Sequence, residues 1–350
     1  MAPVVGAEPF SRTDAEPPAM TCLQARQSAG SIADPPSVLD LHPTPADVRD
    51  IALRGLSRSP KSLPPSLLYD ARGSALFEDI CDLPEYYLTR TEVGILRDRL
   101  PEIAQAVGPE ALVFEPGSGA GIKTRMFLEA LDRPVGYVPI EISRSALEAS
   151  SAELAERFPG VEVLPVCADY HEPIRAPEPK RPPASRVVFF PGSTIGNSAP
   201  DEARLLLRRL AELAGPGGWL LVGVDLKKDP AVLEAAYDDA QGVTAAFTLN
   251  VLERLNREAD ADFDLGAFRH EAVWREHEGW VELGAVSLRD QVVRVAGRRC
   301  VFTQGEKLHT EVSSKYTLEG FAALASPCCR VERVWTDADE RFSVQLLRVV

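Results

Sequence analysis

The chain has 350 residues, 45% of them hydrophobic and 26% charged, with a net charge of −14; this is enough apolar material for the core of a one-and-a-half-domain enzyme. The acidic balance argues against a nucleic-acid partner, which needs concentrated Lys and Arg. The apolar runs are too short and interrupted to cross a membrane, and no basic-then-apolar N-terminus signals secretion.

Residues 1 to about 40 are rich in Pro, Ala, Ser and Asp and lack periodicity, so a disordered leader is expected, with Met20 as an alternative start. Regular structure is expected from Thr44-Pro45-Ala46-Asp47, a helix-start signal followed by Val48, Ile51 and Ala52 at helical spacing. Helices are expected over 75–81 and 91–107. From Ala111 short apolar runs (111–114, 135–140, 161–166, 187–190 and 219–224) alternate with amphipathic stretches (124–131, 144–157 and 200–214), which predicts a parallel, doubly wound α/β sheet. Helical patterns follow over 232–237 and 244–258, and alternating β-like segments over 280–288, 292–302 and 308–316. A helix (318–324) and strands near 330–335 and 342–349 close the chain. The expected division is a cofactor domain of 91–225 plus 318–350 and a smaller, mixed α+β substrate domain of 41–90 plus 226–317.

The six cysteines (Cys22, Cys81, Cys167, Cys300, Cys328, Cys329) show no CxxC and no regular spacing. Idle thiols in a reducing cytoplasm are expected, with adjacent Cys328 and Cys329 as the alternative redox pair.

After the first apolar run comes Glu115-Pro116-Gly117-Ser118-Gly119-Ala120-Gly121. Glycines here let the backbone turn sharply and approach a ligand with no side chain between. The E-x-G-x-G-x-G spacing is similar to the S-adenosylmethionine loop of class I methyltransferases; the dinucleotide pattern G-x-G-x-x-G is spaced differently and serves a pyrophosphate. Glu141 ends the second run, where a carboxylate can accept both ribose hydroxyls. Asp169-Tyr170 end the third, where the acid can accept from an adenine amino group and the ring can stack. Each acid taken singly also reads as a solvated strand end.

The acceptor is expected at the end of the fourth strand, at Pro191-Gly192-Ser193-Thr194-Ile195-Gly196-Asn197. Together with Tyr69-Asp70-Ala71-Arg72-Gly73-Ser74, Leu83-Pro84-Glu85-Tyr86-Tyr87, Tyr237-Asp238-Asp239 and Thr310-Glu311-Val312-Ser313, this block resembles the histidine Nα-methyltransferases of ergothioneine biosynthesis over roughly residues 45 to 345. The resemblance implies trimethylation of the α-amine of L-histidine to the betaine hercynine. It matches Asn197 to the residue binding the α-amino and carboxylate ends, with Gly192 in the same loop, and Tyr86 and Tyr237 to the tyrosines that hold the carboxylate. Glu311 and Ser313 match the pair gripping the imidazole, and Tyr69 and Phe77 match aromatics near the methylated nitrogen. Gly117, Gly119, Lys123, Glu141, Asp169 and Tyr170 fall on the cofactor side. The family usually has Asp where Glu141 stands, and a methionine of its imidazole pocket aligns with Leu283.

The residues agree with this where they can be read alone. Glu311 and Ser313 are two apart in an alternating segment, so as a strand they face one side; a carboxylate accepts an imidazole N–H and a hydroxyl serves the other nitrogen. A solvent-facing strand edge remains the alternative for that pair, core aromatics for Tyr86-Tyr87, and a helix N-cap for Asn197. None of the five histidines (His42, His171, His270, His277, His309) is placed as a general base, so water and the Tyr69 hydroxyl are expected to move the proton while positioning dominates catalysis. No metal is implied, and a cytoplasmic monomer acting on a small molecule is expected. Competing readings are a methyltransferase for tryptophan or a related amine, as in related fungal enzymes, a non-catalytic S-adenosylmethionine-binding protein, and, third, a nicotinamide dehydrogenase.

Overall fold

The structure, a computed structural model, describes residues 36–41, 47–118 and 121–350. The expected leader through residue 35, Met20 and Cys22 within it, His42, Thr44-Pro45-Ala46, and Gly119-Ala120 of the glycine loop lie outside the described residues.

The leader does not extend to residue 40. Leu39–Asp40 form a short strand, β1; the N–H of Leu39 donates to Pro165 O (2.9 Å) and that of Leu41 to Cys167 O (3.0 Å), covering the edge of β5. Three helices follow, α1 (Val48–Leu56), α2 (Ala71–Cys81) and α3 (Leu88–Val107). The side chain of Asp47 accepts from Arg49 N–H at the start of α1, and that of Asp70 from Gly73 N–H at α2, satisfying amides that a helix start leaves open.

The alternating unit runs β2 (Ala111–Pro116), α4 (Ile122–Ala130), β3 (Gly136–Glu141), α5 (Arg144–Arg157), β4 (Glu162–Val163), β5 (Val166–Cys167), β6 (Ser185–Phe190), α6 (Pro200–Ala214) and β7 (Trp219–Asp225). The expected strand 161–166 is two short ones, because Leu164-Pro165 interrupts it and proline has no N–H for a ladder. Next come α7 (Pro230–Tyr237), α8 (Val243–Glu258), β8 (Phe268–Arg275) and β9 (Trp280–Ser287). The chain ends with β10 (Gln291–Val295), β11 (Arg298–Phe302), β12 (Lys307–Ser314), α9 (Leu318–Ala325), β13 (Cys329–Thr336) and β14 (Phe342–Val349). β8 was not expected from the sequence: its polar residues, His270 among them, blur the alternation. The segment 292–302 is a hairpin, turned at Ala296-Gly297 with φ of +46° and +76°.

Among the described residues the main sheet has nine strands, ordered β1-β5-β3-β2-β6-β7-β14-β13 with β4 beside β3; β14 lies antiparallel to both neighbours. This is a doubly wound α/β sheet, parallel from β1 to β7. Strand order reverses between β2 and β6, the crevice where such sheets bind ligands at their carboxyl ends. β2 is buried along its whole length, as a strand covered on both faces must be. Its residues sort by alternation: Ala111 and Val113 enter the core shared with α3 and the second sheet, Leu112 and Phe114 the core shared with α6 and α9. The second sheet, ordered β12-β9-β8, packs against α7 and α8, and α8 against α1 and α2.

Candidate active site

At the end of β2 the glycine loop folds back onto β3. Gly117 has φ +69°, open to glycine at no steric cost, and its N–H donates to Ile140 O at 2.8 Å. Glu115, the acid heading the loop, faces inward. It is 3% exposed and accepts from Thr124 Oγ1 (2.9 Å) and Tyr137 OH (2.7 Å); burial pushes its carboxyl up to about 7.

Glu141 engages one carboxylate oxygen within its own turn. Its Oε1 accepts from the N–H groups of Ile142 (2.8 Å) and Ser143 (3.0 Å), while Oε2 has no partner among the described residues. Burial raises its pKa, partly offset by those two donors. Asp169 accepts through Oδ1 from the N–H of His171 (2.9 Å) and contacts that residue's ring Nδ1 (3.0 Å). The contact to the His171 side chain, against burial, lowers its pKa. Tyr170 lies between His171 (4.5 Å) and Phe190 (6.0 Å). These groups fit S-adenosylmethionine: acceptors for ribose hydroxyls and an adenine amine stand at successive strand ends beside a bare backbone turn.

Lys123 bridges the two halves of the site. Its ammonium pairs with Glu92 Oε2 at 2.7 Å, and Glu92, 1% exposed, accepts the Gly192 N–H with both oxygens (2.9 and 2.8 Å). The acceptor loop is thereby fastened to α3 and α4. Gly192 (φ +83°) and Ser193 (φ +57°) then turn into a short 3-10 helix, Thr194–Asn197. A Cβ on Gly196 would lie 2.8 Å from Ser314 O, so glycine there lets this turn rest on β12. Asn197 and Glu311 border a half-open cavity of about 390 Å³ with Arg54, Ser62 and His309; Tyr69, Tyr86, Tyr237 and Ser313 are not among its lining residues.

The remaining expected acceptor residues come from α2, α7, β12 and the loops that precede α2 and α3. Tyr69 packs edge-on against Phe77 (5.6 Å) and Phe247 (5.3 Å), Phe77 against Tyr86 (6.4 Å), and Tyr86 against Tyr237 (5.9 Å). Tyr69 retains 38% of its surface. Its phenol is nevertheless held well above the ordinary value, by loss of water in the concave site and by Glu311. The hydroxyls of Tyr237 and Ser313 are 2.8 Å apart. Glu311, two residues along the same face of β12, has its carboxyl pushed up to about 7 by burial, against the pull of Lys315.

Sequence reasoning missed a buried polar cluster beneath these hydroxyls. Lys315 donates to Tyr237 OH and Ser313 Oγ, both at 2.7 Å, and pairs with Asp225 Oδ2 at 2.8 Å, neither charged side chain being exposed. Lys228 pairs with Asp225 Oδ1 (2.8 Å), and Tyr87 OH donates to the same carboxylate. Lys315 was visible in principle: Glu311-x-Ser313-x-Lys315 continues one alternation. Asp225 carried no sign beyond ending a strand, and Phe247 is one of many apolar residues on α8.

The described histidines lie apart from this cluster's side chains. His309 Nδ1 pairs with Glu282 (2.9 Å), His270 Nε2 contacts the Tyr237 backbone carbonyl (2.8 Å), and His277 is exposed. Among the described residues no group of three or more His, Cys, Asp or Glu is placed to hold a metal, and the cysteines, Cys328 and Cys329 included, are free thiols.

Residues 48–349 match the family described as histidine-specific methyltransferase, SAM-dependent. The chain is 44% identical over 299 residues to a histidine N-alpha-methyltransferase of Mycolicibacterium smegmatis, covering 83% of this chain and 92% of that one. It is 42% identical over 312 residues to the protein of the same name from Mycobacterium tuberculosis, covering 86% and 96%. A third relative, ergothioneine biosynthesis protein 1 of Neurospora crassa, is 32% identical over 288 residues, 80% of this chain and 31% of that longer one.

Proposed function

The chain belongs to this histidine-specific, S-adenosylmethionine-dependent methyltransferase family, and we propose that it trimethylates the α-amino group of L-histidine to hercynine, the opening step of ergothioneine biosynthesis. The observation that carries the reading is the junction of Tyr237 and Ser313 at 2.8 Å, with Glu311 on the same strand face. It joins a group suited to a carboxylate to a pair suited to an imidazole. We assign Tyr86, Tyr237 and Asn197 to the carboxylate and amine, with Gly192 shaping the loop, and Glu311 and Ser313 to the ring. Gly117, Gly119, Glu141, Asp169 and Tyr170 are assigned to the cofactor, and Lys123 to holding the loops that meet it. Segments 41–90 and 226–317 are read as the substrate-binding part, and 91–225 with 318–350 as the cofactor part, of a cytoplasmic monomer.

Bound S-adenosylmethionine supplies an activated methyl group. The protein's own task is to hold the amine in line, free of water and unprotonated. Tyr69, with its pKa raised, stays a neutral phenol at physiological pH; it relays a proton by accepting at its oxygen while donating its own hydrogen. Glu311, at about 7, holds or releases a proton in the working range, as does the imidazole it faces. The amine must lose its proton before each of three transfers, and a hydroxyl relay serves all three.

Mass spectrometry of the purified protein with S-adenosylmethionine and free amino acids tests the proposal. Histidine should gain three methyl groups; faster turnover of tryptophan, or cofactor binding without turnover of any amino acid, would sink it.

A further inference from the structure

Lys315 has three N–H donors and no acceptor, and the structure engages all three: Asp225, Tyr237 and Ser313. Each hydroxyl oxygen therefore accepts from an ammonium, and its hydrogen must point elsewhere. One of the two hydrogens serves the 2.8 Å contact between Tyr237 and Ser313. The other has no partner among the described residues and is left for a ligand.

The charges do not balance. Asp225 is shared by two ammonium groups, Lys315 and Lys228; burial lowers Lys228 to about 8, still mostly charged at neutral pH, and Asp337 acts on it more weakly than Asp225 does. The side chains of Asp225 and Lys315 are fully buried, and that of Lys228 is 10% exposed. Glu311 is the other acid acting on Lys315; with burial raising its carboxyl to about 7, it is a partial counter-charge at most. An unbalanced buried charge is costly, so the cluster is built for an anion that arrives with the substrate.

We propose that Lys315 is a positioning residue for an anionic substrate end: it turns the hydroxyls of Tyr237 and Ser313 into hydrogen-bond donors and, with Lys228, leaves the cluster one positive charge that the amino-acid carboxylate neutralises. This rests on the reading of the site as one for a free amino acid. It adds that the carboxylate is recognised by buried charge as well as by neutral donors, and that one ammonium ties the carboxylate end of the site to the ring end.

The test compares histidine with histidinamide, which lacks the negative charge, by calorimetry on the enzyme saturated with S-adenosylhomocysteine. Wild type should bind the amide about 10- to 100-fold more weakly, the range expected for a charge-assisted hydrogen bond. Lys315→Met should lose a larger factor for histidine than for the amide, which loses only the oriented hydroxyls and not the charge, with cofactor affinity retained; Lys315→Arg should recover part of the loss. Equal binding of acid and amide by wild type, or an equal loss of both in Lys315→Met, overturns the proposal. Should Lys315→Met fail to fold, Lys228→Met keeps the three Lys315 bonds while removing the excess charge, and must likewise weaken histidine more than the amide. Should wild type methylate a different amino acid, the functional reading fails alone, and the comparison is run on that amino acid and its amide.

Discussion

Glu311 stands directly across the antiparallel ladder from Leu283, so the two side chains share one face of the second sheet. Leu283 is 1% exposed. Glu311→Gln keeps the shape but removes the charge, and should lower kcat/KM for histidine by about 10- to 100-fold, as expected for loss of a charged hydrogen bond. S-adenosylhomocysteine affinity should hold. Leu283→Ala opens space beside the carboxyl and should raise KM for histidine while narrowing its lead over tryptophan. Steady-state kinetics on both amino acids read both effects.

The anchoring of the acceptor loop is open to a backbone test. A Cβ at Gly223 would sit 2.0 Å from Glu92 Oε1 and 3.1 Å from Gly192 N. Gly223→Ala should therefore push Glu92 off the Gly192 amide and cost about 1–3 kcal/mol, the range for overpacking a filled core. Thermal melting should show the loss, and KM for S-adenosylmethionine should rise because Lys123 moves with Glu92.

Glu115 makes stability depend on pH. Its carboxyl is raised from 4.5 to about 7 in the folded protein, so between those values the native state keeps a proton that the unfolded chain has released. Stability is thus greatest below the unfolded value and falls as pH rises through the window, by roughly 3 kcal/mol for this group. Glu311 acts in the same direction. Glu115→Gln should flatten the decline in melting temperature of the ligand-free protein between pH 5 and 7.5; an unchanged slope would contradict this assignment.

Tyr69→Phe removes one hydroxyl and leaves the ring contacts to Phe77 and Phe247 intact. As a proton relay, Tyr69 should matter for turnover more than for binding: kcat should fall about 100-fold or more, the span of general acid–base effects, with little change in histidine affinity. Unchanged rates for all three methylations, followed by mass spectrometry, would end its role as relay.

Much of this protein was legible in one dimension because its signals are local. The apolar runs at 111–114 and 219–224 are buried strands, since covering both faces of a parallel sheet demands unbroken hydrophobicity, and the glycine before the turn at Gly117 is dictated by its own φ. The resemblance blocks brought Asn197, Tyr237, Glu311 and Ser313 to notice before any contact was known. What the sequence by itself determined is therefore the fold, the cofactor and the family of acceptor. Only the tertiary structure decided which groups are paired and which remain free. Glu115, prominent in the glycine motif, proves to be an inward strut bonded to Thr124 and Tyr137, whereas Lys315 and Asp225, ordinary in sequence, meet from segments 90 residues apart. The reason is physical: strand and loop propensities act between near neighbours, while the balance of buried charge depends on which distant segments the fold brings together.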